Sequence, residues 1–291
     1  MLSCPICDSS AIQKKFIKND CQFIECGSCG FIAIHPPPLP DTLTALYGQT
    51  YYQSWGMDQG DDPYVREIKM KTAAGLLEQV ENFREPGTLL DIGCAAGHFL
   101  EAAAIRGWEI YGVEVSEYSA VLAKRKFGDR IYKGSFEAAS FPEAFFDCIL
   151  LSDVLEHFPD PRPVFGKIKG LLKAKGILAI VTPDTESLSA KILKTSWNHY
   201  EKEHLSYFNR KNIQLCLKKN GLIPRVVKTS RKAMNLKYML AQMTAYPHPL
   251  LTPLIRLINK VLPGVWLMRS FWVVSGDMLV IAQKGEEADV G

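Results

Sequence analysis

The chain has 291 residues, of which 47% are hydrophobic and 22% are charged. These fractions exclude a disordered chain and predict a globular protein with one main core and a small additional unit. With 34 Lys and Arg residues against 31 Asp and Glu residues, the formal net charge is +3, so bulk charge points to no particular partner. The opening Met1-Leu2-Ser3 lacks the basic start and apolar stretch of a secretion signal, which predicts a cytoplasmic location.

Cysteines are concentrated near the N-terminus. Cys4 and Cys7 form one CxxC pair, and Cys26 and Cys29 form a second pair after 18 intervening residues. Four thiolates satisfy tetrahedral zinc and leave no open position, so the pattern predicts a structural Zn²⁺ site in a zinc ribbon or knuckle of residues 1–35. The alternative is that these are four unrelated cysteines, buried or paired with one another.

A proline-rich stretch marks the first boundary. Residues 35–40 read HPPPLP, and each proline fixes the backbone and biases its predecessor away from helix. We therefore assign residues 36–86 to a linker and an N-terminal helical lid, with a helical pattern from Tyr64 to Phe83. Residues 87–291 form the predicted main domain.

Short apolar runs alternate with helical patterns in the main domain. This alternation predicts an α/β, doubly wound fold with a seven-stranded, mostly parallel sheet. The predicted strands are Thr88 to Ile92, Glu109 to Val115, Arg130 to Phe136, Phe146 to Leu151, Ile177 to Thr182, Ile223 to Thr229 and Met278 to Gln283. The predicted helices between them cover about 97–106, 117–127, 162–174, 186–195 and 210–220.

The first strand of the main domain leads into a turn bounded by Gly93 and Gly97. Ligands of such sheets bind beyond the carboxyl ends of the strands. Asp91 lies just before the turn, where a carboxylate repels pyrophosphate and attracts an ammonium group. Glu114 follows Gly97 by 17 residues at the end of the next strand, where it can accept hydrogen bonds from both hydroxyls of an unphosphorylated ribose.

From about Thr88 to Gly221 the chain resembles the class I S-adenosylmethionine-dependent methyltransferases. The motifs that carry the resemblance are LLDIGCAAG at 89–97, VEVS at 113–116, GSF at 134–136 and FDCILLSDVLEHFPDP at 146–161. The resemblance implies a Rossmann-like methyltransferase fold and S-adenosyl-L-methionine as the cofactor. The cofactor-binding residues that it implies are Asp91, Gly93, Cys94, Gly97, Glu114, Ser135, Phe136 and Ser152. The chain departs from the family at Ser135, where Asp is usual, and at Ala95-Ala96, where glycines are commoner.

Three histidines are the candidates for the catalytic base. Methyl transfer is an in-line displacement, so the enzyme must align the acceptor and take or share its proton. The resemblance places His199 and His204 in a lid-like segment on the acceptor side, and an imidazole is a suitable base at neutral pH. The alternative is that they cap or pack. His157 lies in the LEH motif, where it either takes part or buttresses the loop.

A second metal site is a further candidate. Asp153, Glu156 and His157 have i, i+3, i+4 spacing and would share one face of a short helix. The quinone-precursor O-methyltransferases that the chain resembles carry such a run near a divalent cation. The alternative is that these are ordinary acids at the start of a helix.

The region 231–274 contains no acidic residue and six basic ones. Pro247, Pro249 and Pro253 interrupt the uncharged stretch 238–255, which argues against a spanning helix. We expect a basic, apolar helical insertion that lies as a lid against a membrane surface or a lipid-like acceptor, which would make the protein peripheral at the membrane. The alternatives are that it covers the sheet or forms a dimer contact.

The leading hypothesis is methyl transfer to a small-molecule or lipid- or sugar-linked acceptor, at a hydroxyl. One alternative is an RNA methyltransferase whose zinc knuckle docks RNA. Nucleic acid is not the expected partner, because the acids of the knuckle offset its lysines, so that no basic stripe forms. Another alternative is a non-catalytic S-adenosylmethionine-binding module, against which the His, Glu and Tyr residues of 199–207 argue.

Overall fold

The computed structural model describes residues 2–38, 63–245 and 251–286. The strands are β1 (Ile12–Lys18), β2 (Cys21–Cys26), β3 (Ile32–Ile34), β4 (Thr88–Ile92), β5 (Glu109–Glu114), β6 (Ile131–Lys133), β7 (Phe146–Ser152), β8 (Leu172–Pro183), β9 (Ser206–Tyr207), β10 (Leu222–Thr229), β11 (Lys232–Met234), β12 (Phe271–Val273) and β13 (Asp277–Lys284). The α-helices are α1 (Pro63–Glu81), α2 (His98–Ile105), α3 (Glu117–Phe127), α4 (Pro161–Leu171), α5 (Leu188–Leu193), α6 (Arg210–Lys219), α7 (Leu236–Ala245), α8 (Leu251–Val261) and α9 (Gly264–Met268).

The centre of the main domain is a seven-stranded sheet in the order β10–β13–β8–β7–β4–β5–β6. Its strands are parallel except β13, which runs antiparallel to both neighbours. All five residues of β4 and the first six of β7 are buried, because helices cover both faces of the sheet and only apolar runs are stable there. The predicted α/β fold with a seven-stranded, mostly parallel sheet is confirmed.

Two predicted boundaries of this sheet are wrong. The helix predicted to reach residue 174 ends at Leu171, because Leu172 already pairs with Phe146 and the ladder shifts register before Ile177 pairs with Cys148. The predicted third strand ends at Lys133 instead of residue 136, since it is the edge strand of the sheet and Gly134 turns the chain away.

The N-terminal unit shares a sheet with the main domain. Strands β1, β2, β3 and β9 form a four-stranded antiparallel sheet, and β9 comes from the segment that follows β8. Asn209 and Asn212 donate side-chain hydrogen bonds to the carbonyl oxygen of Cys29, at 3.2 and 3.4 Å. The N-terminal unit is therefore held against the main domain by a strand ladder and by buried amides.

The predicted insertion 231–274 comprises β11, α7, α8, α9 and β12. Strands β11 and β12 pair with each other, with Lys232 opposite Val273, and so close the insertion at its base. The side chain of Thr72 on α1 accepts a hydrogen bond from the backbone N–H of Ala233 at 2.9 Å. Residues 246–250, within the predicted uncharged stretch, and 39–62, within the predicted linker and lid, lie outside the described residues. In the described ranges, no helix combines the length and the apolar character needed to cross a bilayer.

A buried carboxylate ties the start of β7 to its neighbours. Asp147 accepts hydrogen bonds from the backbone N–H of Thr88 at 2.9 Å and from Lys173 Nζ at 2.6 Å, and it pairs with Arg84. Burial alone would raise the pKa of Asp147, but these donors hold it well below its usual value. A depressed pKa means that this carboxylate stabilises the fold above the ordinary Asp pKa of about 4 and loses that effect as the pH falls.

We expect Asp147→Asn to lower the free energy of unfolding by about 2 to 3 kcal/mol at neutral pH, because two cations lose their buried partner. The loss should be smaller at pH values below about 4, where the carboxylate of the unfolded chain takes up a proton and the wild type itself loses this stabilisation. Urea denaturation at both pH values measures this. Glu117→Gln, at an exposed ion pair with Lys133, is the control and should leave the midpoint nearly unchanged; an equal effect of both variants contradicts the assignment.

Candidate active site

Two buried carboxylates lie at the carboxyl edge of adjacent parallel strands. Asp91 is in β4 and Glu114 ends β5, and their side chains are 3% and 2% exposed. Glu114 accepts hydrogen bonds from the backbone N–H groups of Ala95 and Ser116, both at 2.7 Å. The Gly-bounded turn is thus tied to the end of the neighbouring strand.

The electrostatics of this pair favour a cation. Burial, with a smaller contribution from the nearby charge of Glu114, raises the pKa of Asp91 to about 8. A carboxylate in such a place is stabilised when a positive group binds beside it. The ammonium of a methionine moiety meets that requirement, so the residues present fit the expected cofactor.

The turn between β4 and α2 requires glycine at both ends. Gly93 has φ +74°, and a Cβ there would lie 2.5 Å from Val154 Cγ2. Gly97 has φ +81°, and a Cβ there would lie 2.5 Å from Phe127 Cε2. Ala95 also has a positive φ, of 48°, which is uncommon for a residue with a side chain and is concentrated at functional sites.

The other predicted cofactor residues lie along the same edge. Cys94 is buried, and its Sγ lies 2.8 Å from the position that a Cβ on Gly112 would take, so the thiol points into the sheet. Ser135 Oγ accepts a hydrogen bond from Ala138 N at 3.3 Å. Phe136 is buried after β6 and Ser152 ends β7. The structure therefore brings all eight predicted cofactor residues to the ends of β4, β5, β6 and β7.

The three predicted catalytic histidines form one cluster. The ring centroids of His157 and His204 are 5.0 Å apart, and those of His199 and His204 are 6.2 Å apart. His157 Nδ1 hydrogen-bonds to the carbonyl oxygen of Glu203 at 2.9 Å, and His199 Nε2 to that of Ser275 at 3.1 Å. Each ring is thereby oriented by a backbone carbonyl.

His204 is held as one neutral tautomer. Its Nδ1 lies 2.8 Å from the carbonyl oxygen of His199, and since a carbonyl only accepts, Nδ1 carries the proton. Burial, with smaller contributions from the neighbouring His157 and His199, lowers the pKa of His204 well below its usual value. The ring is therefore neutral at physiological pH, with the lone pair on Nε2.

An ion-pair network built on the buried Asp277 lies beside the histidines, and the sequence analysis missed it. Lys232 Nζ lies 2.8 Å from both Asp153 Oδ1 and Asp277 Oδ2, and Asp277 Oδ1 lies 3.6 Å from His199 Nε2. Burial alone would lower the pKa of Lys232, but the two carboxylates raise it above its ordinary value. One signal in the sequence could have indicated this network, because Asp277 is an acid that stands at the first position of an apolar strand.

This network bears on the predicted second metal site. Asp153 pairs with Lys232, so its carboxylate already has a cationic partner, and it lies outside the group that Glu156 and His157 form with His204. Ligand atoms of Glu156, His157 and His204 do lie within 4.8 Å of one another. Burial, together with the charge of Asp153, raises the pKa of Glu156 to about 8, and Glu156 Oε2 accepts a hydrogen bond from Thr182. Glu156 thus links β8 to the segment that contains His157.

The four predicted zinc ligands also converge. The sulfurs of Cys4 and Cys29 are 3.6 Å apart, and those of Cys7 and Cys26 are 3.5 Å apart. Four sulfurs around a tetrahedral zinc, with Zn–S bonds of about 2.3 Å, are separated by roughly 3.8 Å. All four sulfurs lie within 4.8 Å of one another, so their geometry fits this ion.

A methyltransferase-domain family model matches residues 64–224, which is more than half of the chain. The chain therefore belongs to this family. Its fold and class are those of the class I S-adenosylmethionine-dependent methyltransferases, as the sequence predicted.

Curated relatives match over shorter stretches. The ubiquinone biosynthesis O-methyltransferase of Nitrosomonas europaea is 30% identical over 95 residues, which cover 31% of this chain and 40% of that protein. The sterol 24-C-methyltransferase of Eremothecium gossypii is 32% identical over 100 residues, covering 32% of this chain and 27% of that protein. The chain thus spans less than half the length of either relative.

Solved structures share the fold. A methyltransferase of Haloferax volcanii, in complex with the Trm112 methyltransferase activator, superimposes with a TM-score of 0.57 at 16% identity and covers 86% of this chain and all of that one. The 1,6-didemethyltoxoflavin-N1-methyltransferase of Burkholderia thailandensis, with bound S-adenosylhomocysteine, has a TM-score of 0.53 at 16% identity and covers 94% of this chain and all of its own. At this identity the likeness concerns the fold alone.

Proposed function

We propose that this chain transfers a methyl group from S-adenosylmethionine to a hydroxyl of a small-molecule or lipid- or sugar-linked acceptor. The observation that carries the proposal is the pair of buried carboxylates, Asp91 and Glu114, at the ends of adjacent parallel strands. The names of the curated relatives, which act in ubiquinone biosynthesis and on a sterol, support a small acceptor.

In this proposal each predicted contact has one role. Asp91 binds the ammonium of the methionine moiety, and Gly93 and Gly97 let the backbone approach it. Glu114 accepts hydrogen bonds from the ribose hydroxyls. The remaining contacts are Phe136 and the backbone at Ser135 beside the adenine, and Cys94 and Ser152 along the floor of the site.

The chemistry needs a base and an aligned acceptor. When bound, S-adenosylmethionine supplies an electrophilic methyl group on a sulfonium. The acceptor oxygen forms a bond to that carbon as the carbon–sulfur bond breaks, and Nε2 of His204 takes the hydroxyl proton. We propose that His199 and His157 position the acceptor and the ring of His204.

The cofactor assignment predicts that Glu114→Gln weakens S-adenosylmethionine binding about ten-fold or more, since charged hydrogen bonds to ribose are worth ~1.5 to 3 kcal/mol each. Titration calorimetry measures the affinity. Glu117→Gln is a matched exposed control and should bind like the wild type. Unchanged affinity of the Glu114 variant contradicts the proposed site.

Affinity should also depend on pH through Asp91. Its pKa of about 8 in the free protein must fall when a cation binds, so binding strengthens as the pH rises towards 8 and releases a proton near neutral pH. Calorimetry in two buffers of different ionisation enthalpy counts that proton. Asp91→Asn should abolish the release, and the same release from that variant would assign it to another group.

For His204 we expect His204→Gln to lower turnover by about a hundred-fold, the typical contribution of a general base, while cofactor affinity stays near the wild-type value. Because the pKa of His204 lies well below the usual value, the wild-type rate should begin to decrease only at pH values below ~6.5, the ordinary pKa of histidine. Steady-state rates against pH test both points. Parallel losses of cofactor affinity and turnover would make the residue structural.

We further propose that residues 1–35 form a zinc ribbon whose ion is held by Cys4, Cys7, Cys26 and Cys29. The ion has a structural role, because four thiolates leave no open position for chemistry. The sulfur spacing supports this, as does the burial of Cys4, Cys26 and Cys29 in the same apolar core as Leu90.

Elemental analysis should therefore find one zinc per purified chain. Cys26→Ser should lose the ion and lower the unfolding temperature of the whole chain, because the ribbon is paired to β9. Cys21→Ser changes a cysteine outside the four-sulfur group and should retain one zinc. A metal-free wild type that unfolds at the same temperature with or without added zinc rules out the ribbon and leaves the methyltransferase proposal intact.

A further inference from the structure

Large apolar side chains are exposed between α8 and β12. Val265 is 83% exposed, Val261 is 72% exposed and Trp266 is 57% exposed. Phe271 and Trp272 are exposed as well. A cluster of this kind is unusual on the surface of a soluble domain and marks a contact with another apolar phase.

The same segment has an inner face that already serves the fold. Thr252 and Ile255 on α8 and Leu267 on α9 are buried, and these helices pack against α7. Internal packing therefore accounts for one side of the segment only. Within the described ranges, the exposure of Val261, Val265 and Trp266 is left without an internal partner surface, whereas the ring of Trp272 also lies against Gly75 on α1.

Positive charge accompanies the exposed apolar groups. The region 231–274 has six basic residues and no acid, and of the six Lys232 is already paired with Asp153 and Asp277. Arg256 and Lys260 are exposed one helical turn apart on α8, and the guanidinium of Arg269 lies 5.8 Å from the centroid of the Trp266 ring. Cations beside a Trp and aliphatic side chains are the composition of a helix that lies in the headgroup region of a bilayer.

A second exposed apolar helix adjoins this segment. Leu188 on α5 is 74% exposed and Ile192 is also exposed, with Lys191 between them. The N-terminal part of α5 packs on the chain just after β12, because a Cβ on Gly276 would collide with Ser189 Oγ. We call these two segments, residues 188–193 and 255–274, the basic apolar face.

We propose that the basic apolar face binds the surface of an anionic phospholipid membrane. Charge decides between this partner and a second copy of the chain, since a symmetric contact would set the patch with Arg256, Lys260 and Arg269 against an equally positive patch. Anionic headgroups instead attract each of these cations, and the acyl boundary takes up the apolar side chains. This inference does not depend on the methyl-transfer chemistry.

The histidine cluster lies next to this face. His199 Nε2 hydrogen-bonds to the carbonyl oxygen of Ser275, one residue beyond the exposed Val274. A protein seated on the membrane through this face would therefore bring His199 and His204 close to acceptors held in the headgroup region.

Vesicle flotation of the full chain tests the proposal. Vesicles of phosphatidylcholine alone are compared with vesicles that also contain phosphatidylglycerol, at low and at high salt. The wild type should float with the anionic vesicles at low salt and be released by high salt. The double variant Val265→Ser, Trp266→Ser and the double variant Arg256→Gln, Lys260→Gln should each partition about ten-fold more weakly.

The control is Ile17→Ser, Ile105→Ser, which removes two exposed apolar side chains on β1 and α2 and should float like the wild type. Cofactor affinity and circular dichroism are measured for every variant, to check that the fold and the proposed active site are unchanged. Wild type that stays in the soluble fraction with anionic vesicles overturns the proposal. Equal flotation with neutral and with anionic vesicles also overturns it. So does a wild-type dimer in sedimentation that the Val265→Ser, Trp266→Ser variant dissociates and the other variants do not.

Discussion

Burial of two like charges side by side is the constraint on which the site depends. Asp91 and Glu114 are nearly inaccessible to water at neighbouring strand ends, and an isolated buried carboxylate is costly. The fold offsets this with backbone N–H donors to Glu114 and with a raised pKa at Asp91. The glycine turn supplies one of those donors, so the conformation of the turn and the charge of the strand end are coupled. A cationic ligand bound beside Asp91 would offset the negative charge of the pair.

Local sequence patterns were sufficient to predict the central sheet and the strand ends that form the proposed cofactor site. Buried parallel strands read as apolar runs, and a turn that needs positive φ at Gly93 and Gly97 leaves a glycine spacing in the sequence. These features are set by residues close in the chain. The sequence therefore also predicted that Asp91, Glu114, Phe136 and Ser152 lie together at the ends of four strands. This prediction followed from the strand pattern, because the carboxyl ends of parallel strands share an edge of the sheet.

Tertiary pairings could not be read in the same way. Lys232 meets Asp153 and Asp277, partners that are distant in sequence and that no periodicity relates. The addition of β9 to the N-terminal sheet was missed for the same reason, since a two-residue strand has no recognisable pattern. The tautomer of His204 depends on the carbonyl of His199, and the sequence gives no sign of which atom that carbonyl faces.

The closing ladder between β11 and β12 makes the insertion structurally separable from the central sheet. Because Lys232 lies opposite Val273, the chain leaves and rejoins the domain at nearly the same point, between two strands, β10 and β13, that are themselves adjacent. Outside the ladder that carries Lys232, the excursion can therefore change in length without moving a strand of the central sheet. Such a change would alter the surface beside the histidine cluster while the strand ends with Asp91 and Glu114 stay in place.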